Sequence, residues 1–210
     1  MTVLFDFDGV LVRGDSFSLF VQRRVLASWR LALMVAALPV IVPLAMIRPL
    51  RPRAARLIIR IVVFGVPSTE FRRRATEFAR VLVGEPGRIL QSGVSAVHRH
   101  LAAGDRVVVV TACEQTLARS ILDNLGLSQV ELVGSRFDGR DGVVHNHGAE
   151  KLRQLAAYGI EAPWKAAYSD SLWDLPLLCG SEHPILVNAG PRTTARARSL
   201  LGDRLATVTW

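Results

Sequence analysis

The chain has 210 residues, half of them apolar, and a formal net charge of +8. That length suits one well-buried α/β domain with a sizeable insertion and is short for two independent domains, and the apolar content excludes a disordered chain. The charge is uneven: from Arg13 to Arg80 thirteen Arg face only Asp15, Glu70 and Glu77, so this block carries +10 and the remainder −2. Such a block implies either an anionic partner or a merely solvated Arg-rich face.

Thr2 to Phe5 is a short β-type run that ends in Asp6-Phe7-Asp8-Gly9, where the glycine after a strand marks a turn with close backbone approach. A cleavable leader would remove Asp6, so a cytoplasmic domain is expected. From Arg13 to Gly84 the pattern changes to several helices punctuated by proline. This is the pattern of an all-helical cap, residues 13–84, inserted into a core made of 1–12 and 85–210. Inside it, Leu31 to Ile47 is uncharged and contains Pro39 and Pro43; Trp29-Arg30 precede it, and Arg48, Arg51, Arg53 and Arg56 follow. Seventeen residues fall short of the roughly 20 that span a bilayer, and two prolines four apart should break a simple span. The stretch is therefore expected either to pack inside the cap or to form an interfacial anchor, with Trp29 at headgroup level and Arg on anionic lipid.

Arg106 to Val110 is a second buried strand leading into Thr111, with a helix from Glu114 to Leu125 behind it. Residues 138–147 look like a Gly-rich hairpin, followed by a helix that starts near Gly148 and carries Lys151 in its first turn. Trp164 to Ser169 and Pro184 to Val187 are two more strands, separated by a helical Ser171 to Cys179. Alternating buried strands and helices predict a Rossmann-like, doubly wound parallel sheet, an α/β fold that binds ligands at the carboxyl ends of its strands. Asp6, Asp8, Thr111 and Asp170 all fall at such ends.

These residue types fit attack on a phosphate monoester. The ester is anionic, so a carboxylate can reach its phosphorus only where cations cancel the repulsion and the nucleophile is held in line. Alternation along an extended chain puts Asp6 and Asp8 on one side. Asp6 can bind Mg²⁺ with one oxygen and attack with the other, while Asp8 donates and later recovers a proton. Thr111 offers a hydroxyl and Lys151 an ammonium for phosphoryl oxygens, and Asp170 and Asp174 offer oxygens to Mg²⁺, which commonly keeps waters as well.

The four segments Asp6-Phe7-Asp8-Gly9-Val10-Leu11-Val12, Val107 to Thr111, Gly148-Ala149-Glu150-Lys151 and Ser169-Asp170-Ser171-Leu172-Trp173-Asp174 together resemble the haloacid dehalogenase superfamily, in its phosphoserine-phosphatase-like branch with a helical cap. The resemblance implies Asp6 as nucleophile, Asp8 as acid/base and backbone-carbonyl metal ligand, Thr111 and Lys151 on phosphate, and Asp170 on Mg²⁺. Trp173 departs from the Asn usual in phosphoserine phosphatases. Asp15 lies near their amine-reading acid, but it suits a helix cap equally. The apolar stretch and basic block resemble instead the membrane-associated members that act on phosphatidylglycerophosphate.

Cys113 and Cys179 have neither disulfide nor zinc spacing. His98 with His100, and His145 with His147, lack a third ligand and read as surface pairs. The expected activity is a Mg²⁺-dependent phosphomonoesterase on the cytoplasmic face of the inner membrane, with a phospholipid headgroup phosphate as substrate and no nucleic acid partner. The alternatives are a soluble phosphatase for a small metabolite such as phosphoserine, and a non-enzymatic lipid- or partner-binding protein.

Overall fold

The structure is a computed structural model that describes residues 1–26, 29–50, 53–54, 57–58, 60–61, 67–139 and 142–210. Parts of the Arg-rich block and the tip of the predicted hairpin lie outside the described residues. The strands are β1 (Thr2–Phe5), β2 (Arg106–Glu114), β3 (Glu131–Gly139), β4 (Gly142–Val144), β5 (Trp164–Ser169), β6 (Ser181–Val187) and β7 (Ala206–Val208). The helices are α1 (Ser16–Leu26), α2 (Arg30–Met46), α3 (Ser68–Gly84), α4 (Gln91–Ala102), α5 (Gln115–Asn124), α6 (Ala149–Ala157), α7 (Leu175–Cys179) and α8 (Pro191–Leu201).

One sheet runs β4-β3-β2-β1-β5-β6-β7. β1 lies at its centre, paired in parallel with β2 from Thr2↔Arg106 to Phe5↔Val109 and with β5 from Val3↔Ala166 to Phe5↔Tyr168. Only β4 is antiparallel, against β3. Alternation divides the central strands between two cores. Val3, Phe5, Val107 and Val109 pack with the buried faces of α3, α4 and α5, and Leu4, Val108 and Val110 pack with α6, α7 and α8. Burial on both faces explains why these strands read as unbroken apolar runs.

The helical block after β1 does not stand wholly apart from this sheet. Ala75, Phe78, Ala79 and Leu82 form a helical stripe on α3 that joins the same apolar cluster as β1 and β2, and α3 packs along α5. Phe20 of α1 meets Phe71 and Phe78 of α3 edge-on, with ring centroids 5.6 and 5.4 Å apart.

α2 behaves differently from expectation. It is one continuous helix with Pro39 and Pro43 inside it. The prolines delete the donors for the carbonyls of Val35 and Pro39, a loss that an exposed helix tolerates because solvent can take the freed oxygens. Leu31, Leu33, Val35, Leu38, Val40, Val42, Met46 and Ile47 are all exposed, and Ile41 alone among the large apolar residues of this stretch is counted in the core. No helix among the described residues is long and apolar enough to cross a membrane.

Candidate active site

The carboxyl ends of β1, β2 and β5 meet in a cleft of about 350 Å³ lined by Asp6, Asp8, Thr111, Lys151, Asp170 and Asp174. Asp6 extends the pairing of β1, its N–H donating to the Tyr168 carbonyl at 2.8 Å. The chain then turns through Gly9, at φ +77°. A Cβ at Gly9 would lie 2.0 Å from Asp170 Oδ2, so the position needs glycine both for its conformation and for the approach of that carboxylate. Asp8 is tethered by the Ser16 N–H, which donates to Oδ1 at 2.9 Å.

Lys151 sits in the first turn of α6, 3 % exposed. Its Nζ donates to Asp6 Oδ1 at 2.9 Å and to Asp174 Oδ2 at 2.7 Å. The same Asp174 oxygen accepts from Ser169 Oγ at 2.9 Å. An ammonium has three protons, so one remains for a third acceptor. Thr111 is buried at the end of the regular pairing of β2, and its Oγ1 accepts from the Cys113 N–H at 2.9 Å. Its own hydroxyl proton is thereby left for an acceptor in the cleft.

The electrostatics follow from burial. Desolvation raises Asp6 well above the ordinary carboxyl range, against the opposing pull of Lys151. Asp8 is pushed up to about 7, chiefly by burial, with the Ser16 hydrogen bond working the other way. Burial also raises Asp170, assisted by the neighbouring Asp174. For Lys151, burial alone would lower the value, but Asp6 and Asp174 outweigh it and hold the ammonium above its usual value. Asp6 and Asp174 contact the buried ammonium and Asp8 and Asp170 line the same cleft, so ionising all four would leave a negative excess that a divalent cation would offset. Among the described residues, no three His, Cys, Asp or Glu side chains form a metal cluster. The donor set suits Mg²⁺, which binds through one or two carboxylates and completes its shell with water and substrate oxygens.

Several other readings are now resolved in space. Asp15 caps α1, its Oδ1 accepting from the Ser18 N–H at 2.7 Å, and it also borders the cleft. Trp173 is 62 % exposed and lines the cleft with its ring centroid 5.1 Å from that of His147, which stacks in turn on His145 at 5.6 Å. His147 is therefore a cleft residue. Nor is His100 a plain surface residue: it is half-buried, with Nδ1 2.9 Å from Asp105 Oδ2 and Nε2 3.0 Å from the Tyr168 hydroxyl. His98 is exposed, as expected. Cys113 is buried and accepts from Ser16 Oγ at 3.3 Å, and both cysteines are free.

Sequence reasoning did not find Ser16 or Asn146, and it gave Ser169, quoted at the head of the fourth segment, no role. Buried Asn146 joins β2 to β3 behind Thr111, its Nδ2 donating to the Thr111 and Val133 carbonyls at 3.1 and 2.8 Å. The role of Ser169 could have been found from its place at the end of β5, next to Asp170. Asn146 has no local signal, because its partners lie 35 and 13 residues away.

Residues 3–178 of this doubly wound α/β chain, with acidic residues at its central strand ends, match the haloacid dehalogenase-like hydrolase family. The chain belongs to that family. Among solved structures, a protein of unknown function from Bordetella pertussis Tohama I is 23 % identical with a TM-score of 0.73, over 99 % of this chain and 97 % of that one. A predicted phosphatase from Clostridium acetobutylicum is 16 % identical with a TM-score of 0.61, over 100 % and 93 %. A phosphoserine phosphatase in apo form is 14 % identical with a TM-score of 0.57, over 99 % and 92 %. These likenesses establish a shared fold. No curated protein sequence gives a significant match to the chain.

Proposed function

We propose that the protein is a Mg²⁺-dependent phosphomonoester hydrolase that works through an aspartyl phosphate on Asp6. The observation that carries this reading is buried Lys151, which holds Asp6 Oδ1 and Asp174 Oδ2 at the floor of the cleft and keeps a third proton for substrate. With Oδ1 held, Asp6 Oδ2 is the attacking oxygen. Its bond to phosphorus forms as the bond to the leaving oxygen breaks. Asp8, whose carboxyl is pushed up to about 7 chiefly by burial, gives its proton to that oxygen. Thr111 and Lys151 donate to the phosphoryl oxygens. Asp8 then takes a proton from the water that attacks the acylphosphate, which frees inorganic phosphate and restores Asp6. The Asp6 carboxylate, the Asp8 carbonyl and Asp170 would hold Mg²⁺, which when bound would supply positive charge against the phosphoryl oxygens. Asp174, engaged by Lys151 and Ser169, acts by orienting the lysine.

The decisive assay is hydrolysis of a soluble phosphomonoester with and without Mg²⁺. Activity is expected to vanish on chelation and in Asp6→Asn; an Asp6→Asn protein as active as wild type would overturn the mechanism.

For substrate and location, residues 13–84 are taken as the cap on a core of 1–12 and 85–210, and the substrate as a phospholipid headgroup phosphate such as phosphatidylglycerophosphate. The exposed apolar surface of α2, next to Arg-rich sequence, supports attachment to an anionic membrane surface on the cytoplasmic side. Flotation with anionic liposomes tests this. Val35→Asp with Met46→Asp should stay with the soluble fraction while hydrolysing soluble phosphoesters normally. Wild type that does not float, or that prefers phosphoserine to lipid, would favour the soluble small-metabolite phosphatase.

A further inference from the structure

Asn188 follows β6 and is the only non-glycine residue among those described with positive φ, at +51°. Side chains other than Asn and Asp rarely adopt this conformation, because Cβ crowds the backbone. The residue ties together three segments. Its Nδ2 donates to the Gly9 carbonyl at 3.2 Å, its Oδ1 accepts from the Trp210 N–H at 2.7 Å, and its own N–H donates to the Val208 carbonyl at 2.9 Å. The amide orientation follows from these partners: turned over, it would set oxygen against a carbonyl and NH₂ against an N–H.

The Gly9 carbonyl matters because of what adjoins it. The Gly9 N–H donates to the Val12 carbonyl at 2.7 Å, and Asp170 Oδ2 occupies the space where its Cβ would be. Gly9 thus stands between Asp8 on its own chain and Asp170 across the cleft. A second cleft of about 410 Å³ opens beside it, lined among others by Gly9, Arg13, Gly14, Asp170, Asn188 and Trp210. That flank of the Gly9 turn borders open space, so a hydrogen bond there restrains what packing does not.

We propose that Asn188 is a positioning residue which clamps the Gly9 peptide and thereby fixes the spacing of Asp8 and Asp170 about Asp6. This rests on the roles assigned to those three residues above. The positive φ is part of the device: it aims the amide back at the turn while the backbone of Asn188 stays paired with Val208 at the end of β7.

Two variants separate the amide from the backbone. Asn188→Gly keeps access to positive φ and loses both side-chain hydrogen bonds. Asn188→Asp keeps an acceptor for the Trp210 N–H and cannot donate to Gly9. Both should lose about 10- to 100-fold in kcat on a soluble phosphomonoester, the scale seen when outer-shell partners are removed, with KM changed by less than about 3-fold. Calorimetric Mg²⁺ titration of Asn188→Gly without substrate should show affinity weakened on that same scale. A folded Asn188→Gly protein with kcat and Mg²⁺ affinity within about 2-fold of wild type would overturn the proposal, since the backbone conformation would then suffice. If wild type shows no Asp6-dependent hydrolysis, the phosphatase reading fails first, and the Mg²⁺ titration alone decides the role of Asn188.

Discussion

Replacing Lys151 by Met removes the one ammonium between Asp6 and Asp174 and substitutes an apolar chain of similar length. Both carboxylates are buried, Asp6 at 9 % and Asp174 at 2 % exposure, so neither can recover its lost partner from bulk water. Breaking a buried ion pair from one side costs about 3–5 kcal/mol, and at neutral pH, without Mg²⁺, we expect a loss in that range. The penalty depends on pH. Lys151 now pulls the Asp6 pKa down against desolvation, so its removal raises a folded value that already stands above the unfolded one. A group shifted in this direction favours the fold below its unfolded pKa of about 3.9 and loses that advantage as pH rises through its folded pKa. The stability gap between variant and wild type should therefore be small near pH 4 and widen as the pH rises, as read by urea denaturation at pH 4 and at pH 8. Loss of a phosphoryl donor should also lower kcat by about 10²–10³. Lys151→Met combined with Asp174→Leu should regain only part of that stability, because one orphaned carboxylate is removed while Asp6 stays unpaired, and should not regain activity. A single variant as stable as wild type at pH 8 would mean that the ion pair is not buried as described.

Gly9→Ala places a methyl group 2.0 Å from Asp170 Oδ2 and forces positive φ on an alanine, so Asp170 must move; activity should fall at least about 10²-fold, with weakened Mg²⁺ binding by calorimetry. Because Asp8 must be protonated to assist departure and its pKa is pushed to about 7, kcat on an alkyl phosphate should decline as pH rises through that value, with the decline setting in at lower pH to the extent that Mg²⁺ lowers it. An aryl phosphate, whose leaving oxygen needs little protonation, should lack that decline; identical profiles would remove Asp8 from the acid role. Trp173→Ala, which strips an exposed ring from the cleft wall, should raise KM several-fold and leave kcat nearly unchanged.

What could be read from the sequence follows how local its cause is. Asp6, Asp8 and Gly9 stand out because a strand, a two-residue alternation and a turn are all written within eight residues. Lys151 was recognisable as a first-turn helical residue, and Thr111 and Asp170 as strand ends. β3, β7, α4 and α8 were missed, and so were Asn146 and Asn188, whose partners come from distant segments; nothing near either in sequence names the Thr111 or Gly9 carbonyl as its acceptor. α2 fails in the opposite way. The prolines were expected to break a membrane span, and no described helix is long and apolar enough to be one, yet α2 itself runs on unbroken, because Pro39 and Pro43 break a helix only where the freed carbonyls cannot find another donor. The same exposure that lets α2 absorb two prolines also leaves eight large apolar side chains facing outward on or just beyond a 17-residue helix. A covering surface would hide those side chains, and its chemistry is constrained by the flanking sequence: Trp29-Arg30 on one side, Arg48, Arg51, Arg53 and Arg56 on the other, and no acid between Asp15 and Glu70. A surface apolar within and negative at its rim meets both demands, as an anionic bilayer does and a neutral protein groove does not.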